Sequence, residues 1–132
     1  MGKPIVFLVD DDKQLLDALT SQLRASKFGK RISIETAQTL DEAWDALTIL
    51  LHEEERVALI ISDWLFPMEA RSNDFLVRVH KRYPEIPLVL LSGYADEASV
   101  QHAFDMAGLR AYFRKPWEED ELMDGVEKLL SL

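Results

Sequence analysis

The stretch VFLVDDDK, Val6–Lys13, sets four apolar residues directly against three consecutive aspartates. The run IVFLV (Ile5–Val9) has no polar alternation, the pattern of a strand buried on both faces of a parallel sheet. The next segment is helical: KQLLDALTSQLRA, residues 13–25, places Leu15, Leu16, Leu19 and Leu23 on one face. The aspartates therefore occupy the carboxyl end of a strand just before a helix. Like charges gathered at one strand tip either cap the helix or surround something positive.

The same alternation recurs four more times. ISIET (32–36) leads to LDEAWDALTILL, and ALIIS (58–62) leads to DFLVRVHKRY. PLVLLS (87–92) leads to DEASVQHAFDMAG, and AYF (111–113) to EEDELMDGVEKLL. Asp41, Asp74 and Asp96 stand where helix caps or first-turn acids are wanted. Gly29 and Gly108 stand where helices stop, and HEEER (52–56) reads as the charged exit of the second helix. Strict β-α alternation implies a parallel sheet with helices on both faces.

The chain has 132 residues, which predicts a single domain, 1–132, able to bury a core without staples. A hydrophobic content of 48% with 30% charged residues is globular rather than disordered. The absence of cysteine excludes disulfides and thiolate metal sites and favours a cytoplasmic protein. No apolar run approaches a signal-peptide core or the ~20 residues of a membrane span. With 24 acids against 15 bases and a net charge of −9, direct nucleic-acid binding is disfavoured. The loose cluster Arg24, Lys27, Lys30 and Arg31 reads as a solvated turn.

Ligands of open parallel sheets bind beyond the carboxyl ends of the strands. There the sequence collects Asp10, Asp11 and Asp12, then Asp63, then Ser92, then Lys115 before Pro116. Two carboxylates ~4 Å apart repel by about 4 kcal/mol at an effective dielectric near 20, so such a group must protonate or hold a cation. Oxygen ligands without histidine or cysteine suit Mg²⁺ or a similar hard ion. Lys115 offers a second positive partner for a phosphate, and Ser92 a hydrogen bond to a phosphoryl oxygen. The pattern points to phosphoryl chemistry on a carboxylate.

FLVDDD, LIISDWLFP, VLLSGYADE and AYFRKPW together resemble the receiver domain of two-component response regulators, related to chemotaxis regulators. The resemblance covers essentially the whole chain. It implies a flavodoxin-like (βα)5 three-layer sandwich with a parallel five-stranded sheet in the order 2-1-3-4-5. It implies Asp63 as phospho-acceptor and Asp10, Asp11, Asp63 and the backbone carbonyl of Leu65 as Mg²⁺ ligands. Ser92 matches the switch hydroxyl, Tyr112 the switch aromatic, Lys115 the phosphoryl-contacting lysine, and Pro116 a proline preceded by a cis bond. Asp12 falls outside the family's acid pair. Phe66 replaces the family's usual methionine, and MEARSND (68–74) is longer than the corresponding stretch and lacks its glycine.

The implied partners are a sensor histidine kinase or phosphotransfer protein and a downstream output domain or protein. The implied activity is the chain's own phosphorylation and dephosphorylation, not turnover of a separate substrate. Phosphorylation would switch the surface of helix 4, strand 5 and helix 5. Two other readings stay open: a receiver-fold interaction module that is never phosphorylated, and a haloacid-dehalogenase-like phosphatase using Asp10 and Asp12. Trp117 reads as a packing residue, and His52, His80 and His102 as surface residues on helices away from the strand ends.

Overall fold

The computed structural model describes residues 2–63, 72–93 and 97–131, and for residues 72–74 and 99 the backbone only. Five strands, β1 (Ile5–Val9), β2 (Ser33–Ala37), β3 (Val57–Ser62), β4 (Leu88–Ser92) and β5 (Ala111–Arg114), alternate with five α-helices. These are α1 (Lys13–Ala25), α2 (Leu40–His52), α3 (Ser72–Arg82), α4 (Glu97–Ala107) and α5 (Glu119–Leu130), with a short 3-10 helix at Gly29–Arg31. Every strand pair is parallel and the order is β2-β1-β3-β4-β5. This is the flavodoxin-like arrangement.

β1, β3 and β4 are buried along their whole length, as expected for central strands covered on both faces. Period-2 alternation divides their side chains between two cores. Phe7, Val9, Ile60, Leu88 and Leu90 pack with Leu47 of α2, Leu76 and Val79 of α3 and Ala103 of α4. Val6, Leu8, Leu59, Ile61, Val89 and Leu91 pack with Leu16, Leu19 and Leu23 of α1 and Leu122 and Val126 of α5. Edge strand β2 keeps only Ala37 buried, which is why its sequence alternates.

One expected helix stop lies elsewhere. Gly29 does not stop α1: the helix ends at Ala25, and Ser26 caps it, its N–H and hydroxyl both bonding the Leu23 carbonyl at 3.3 and 2.7 Å. Gly29 is instead required because a side chain there would meet the Arg24 carbonyl. Gly108 does end α4, at φ +61°. After α2 the left-handed position falls on Glu54, φ 62°, and the N–H groups of Glu54 and Glu55 close back on Leu51 and Leu50. Thr39, not Asp41, caps α2; Asp41 lies in its first turn. Asp96 and the side chain of Asp74 lie outside the described residues.

Among the described residues no helix is long and apolar enough to cross a membrane. His52, His80 and His102 lie on helices, but His80 is half-buried, its ring filling the space that a side chain at Gly108 would take.

Candidate functional site

Because the strands are parallel and in register, their carboxyl ends share one edge of the sheet. Val9 pairs with Ser62, so Asp10 and Asp63 leave neighbouring strands at the same level. The Asp63 N–H donates to the Val9 carbonyl at 3.0 Å, and the Asp10 N–H to the Ala37 carbonyl at 3.1 Å. Ladder bonds thus reach one residue beyond each strand and hold both acids rigidly. On the far side, the Lys115 N–H donates to the Ser92 carbonyl at 3.1 Å, tying the end of β5 to that of β4. The Lys115–Pro116 peptide is cis.

The three consecutive aspartates do three different things. Asp10 is 3% exposed; one oxygen accepts the Asp12 N–H at 2.9 Å and the other accepts Lys115 Nζ at 2.7 Å. Asp11 is exposed and contributes a carboxylate oxygen to a cluster with Asp10 and Asp63 in which all three oxygens lie within 4.8 Å of one another. Asp12 caps α1, accepting the Leu15 N–H at 3.2 Å. An Asp-x-Asp phosphatase pair would need Asp12 beside Asp10; here its carboxylate serves the helix.

Asp63 is 7% exposed and accepts a second bond from Lys115 Nζ at 3.2 Å. Burial works to lower the Lys115 pKa, but the hydrogen bond and charge of Asp10 and the charge of Asp63 outweigh it and hold the ammonium above its usual range. Asp11 is shifted upward from the usual carboxyl value, by partial desolvation first and then by the adjacent Asp10, with a backbone hydrogen bond and then Lys115 offsetting only part. Three carboxylates against one ammonium leave the edge electron-rich. The donor set, one oxygen each from Asp10, Asp11 and Asp63 with no nitrogen or sulfur ligand, fits a hard divalent cation.

Ser92 is fully buried, and its carbonyl accepts the Tyr112 hydroxyl at 3.3 Å as well as the Lys115 N–H. Tyr112 is half-buried against the core formed with α2, α3 and α4. The structure therefore brings Asp10, Asp11, Asp63, Ser92, Tyr112, Lys115 and Pro116 to one end of the sheet. Trp64, Leu65, Phe66 and Pro67 lie outside the described residues, as does most of the stretch 68–74.

Sequence reasoning missed two supports. Ser62, 1% exposed at the end of an apolar strand, donates its hydroxyl to the Asp63 carbonyl at 2.9 Å. Trp117 Nε1 donates to Gln22 Oε1 at 2.8 Å, joining the segment after Lys115 to α1. The serine was visible as the single polar residue of VALIIS; nothing in the sequence pairs Gln22 with Trp117.

The family model of the response regulator receiver domain matches residues 6–127. The chain belongs to that family and is a receiver domain of the two-component type. It is 31% identical over 130 residues to the hydrogenase transcriptional regulatory protein HoxA of Cupriavidus necator, covering 93% of this chain and 23% of that protein. The chain thus spans about a quarter of the length of the first curated relatives it matches. An uncharacterized protein of Neptuniibacter caesariensis is 31% identical, covers 99% of this chain and 90% of that one, and superposes with a TM-score of 0.79. A CheY-like receiver domain protein of Methanospirillum hungatei, 24% identical, superposes at 0.81 over 98% of this chain and 95% of its own, sharing the fold.

Proposed function

We propose that this domain accepts a phosphoryl group on Asp63 from a phosphohistidine of a sensor kinase or phosphotransfer protein, or from a small phosphodonor. What carries the reading is the Lys115 ammonium placed between the buried carboxylates of Asp10 and Asp63, at 2.7 and 3.2 Å, beside an acidic cluster able to hold a cation.

An Asp63 carboxylate oxygen attacks phosphorus; the P–O bond forms as the P–N bond of the phosphoimidazole breaks, and the imidazole leaves with the electron pair. Asp10, Asp11 and Asp63, with the Leu65 carbonyl that the family resemblance adds, would hold Mg²⁺. When bound, that ion neutralises charge on the phosphoryl oxygens and on the acceptor. Lys115 supplies a further positive charge from the protein itself, held protonated by the carboxylates it bridges. Once Asp63 carries the phosphoryl group as an acyl phosphate, its charge moves outward onto the phosphoryl oxygens. Lys115 and the Ser92 hydroxyl move with that charge.

Tyr112 is tied to the Ser92 carbonyl. A shift at Ser92 therefore changes the rotamer balance of Tyr112 and with it the surface of α4, β5 and α5, a two-state element biased by local charge. The names of relatives such as HoxA, a transcriptional regulatory protein, support an output reached through a further domain or partner.

Incubation with Mg²⁺ and acetyl phosphate, followed by intact-mass measurement and peptide mapping, tests the proposal. A single phosphoryl adduct on Asp63, lost in Asp63→Asn, is expected. An adduct at another residue overturns the assignment. Mg²⁺ binding with no adduct from acetyl phosphate or from a phosphorylated kinase leaves a receiver-fold interaction module.

A further inference from the structure

β3 reads VALIIS: five apolar residues and then a serine, all buried. Ser62 pairs with Val9 on one side and Leu90 on the other, so it sits mid-sheet and at 1% exposure. Alternation places its side chain on the face of Ile60, in the core that includes Val9 and Leu90. A hydroxyl there is unfavourable unless bonded, and an alanine would avoid that cost. The bond it makes is specific: it donates to the carbonyl of Asp63 at 2.9 Å.

Asp63 is thereby held at three points. Its N–H is fixed to Val9, its carboxylate to Lys115 and its carbonyl to Ser62. The carbonyl bond orients the peptide plane through which the chain leaves β3, just past the last paired residue of the strand. With the N–H and the carbonyl of Asp63 both fixed, the direction in which its side chain leaves the Cα is fixed as well.

We infer that Ser62 is a positioning residue for the acceptor site: its hydroxyl fixes the peptide leaving Asp63 so that the carboxylate meets Asp10 and Asp11 around a divalent cation. This deepens the reading of Asp63 as a metal-assisted acceptor and rests on it. Groups that orient metal ligands without touching the metal commonly control affinity by tenfold or more.

The test is a matched pair, Ser62→Thr and Ser62→Val, which have nearly the same shape and differ in the hydroxyl, with Ser62→Ala as a smaller variant. Mg²⁺ affinity is measured calorimetrically on the folded proteins, and acetyl phosphate uptake is monitored separately at saturating Mg²⁺. Ser62→Thr keeps the wild-type affinity; Ser62→Val and Ser62→Ala lose about tenfold, while any adduct still maps to Asp63. Equal Mg²⁺ affinity in the threonine and valine variants overturns the inference, and should the valine fail to fold, equal affinity of the alanine and threonine variants does the same. Failure of wild type itself to bind Mg²⁺ or to take up phosphoryl overturns the underlying reading instead, and is seen before any variant is compared.

Discussion

The Lys115 ammonium sits nearer to Asp10 than to Asp63, 2.7 Å against 3.2 Å, and Asp10 is the more buried of the two carboxylates. The lysine belongs chiefly to Asp10 and reaches Asp63 with its longer bond. One ammonium thus spans both buried carboxylates.

Replacing that lysine with methionine leaves two buried carboxylates without their cation. Breaking a buried pair costs about 3–5 kcal/mol; with the lysine side chain 21% exposed, a loss of about 2 kcal/mol at neutral pH is expected for Lys115→Met. Linkage fixes the pH window. The folded pKa of Lys115 is raised above 10.5, so its contribution is fully present below that value and is lost as pH rises through the folded pKa. The difference in melting temperature between wild type and Lys115→Met should stay constant from neutral pH to 10.5 and shrink above it. A gap that closes near neutral pH would contradict this.

Asp11 carries the opposite sign from most acidic residues. Its folded pKa lies above 3.8, so the native state binds the proton more tightly than the unfolded chain. Stability therefore falls as pH climbs from 3.8 through the raised value and stays lower beyond it. Without divalent cation at neutral pH, Asp11→Asn should melt higher than wild type, by about 2 °C at most given the exposure of the side chain. The advantage shrinks as pH is lowered toward 3.8. Added Mg²⁺ should reverse the order, because the variant lacks one of the three carboxylates of the proposed cation site. Thermal melts at two pH values with and without Mg²⁺ read both effects.

Asp12 should behave as a cap and nothing else. Asp12→Ala is expected to cost about 1 kcal/mol, and Asp12→Asn or Asp12→Ser very little. The bond it gives the site comes from its backbone N–H to Asp10, which survives any side-chain change. Phosphoryl uptake should therefore be unchanged in all three. A variant that is stable but silent toward acetyl phosphate would place Asp12 in the chemistry.

Glu54 holds a left-handed conformation at φ 62° that glycine adopts without strain. Glu54→Gly should stabilise the fold by about 0.5–1 kcal/mol, seen as a higher urea midpoint with an unchanged slope. At Gly108 the reverse holds. Alanine there would bring a methyl within 2.5 Å of the His80 ring in a backbone conformation already unfavourable to side chains.

The sheet was legible because its central strands are uninterrupted apolar runs, and the edge strand because SIET alternates. The clustering of Asp10, Asp63, Ser92 and Lys115 was legible because parallel strands bring their carboxyl ends together whatever the connecting helices contain. The division of labour within Asp10–Asp12 was legible only through the family resemblance, which set Asp12 apart from the acid pair; by residue type alone the three are identical, and which one caps α1 depends on where that helix begins. Gly29 misled for a related reason, since a glycine needed for close approach to a backbone carbonyl looks the same as one that ends a helix. Ser62 shows in the sequence only as the one polar residue of an apolar run, whereas the Gln22–Trp117 bond joins groups that meet only after folding.

Asp10 and Asp63 are each tethered by backbone ladder bonds to the strand beside them. Their separation is consequently a property of the sheet itself, whose strands lie ~4.8 Å apart wherever they pair. The acidic site thus inherits a length standard from the peptide backbone. Helix exteriors and connecting loops do not set that length, so substitutions there can leave the spacing of the two carboxylates unchanged.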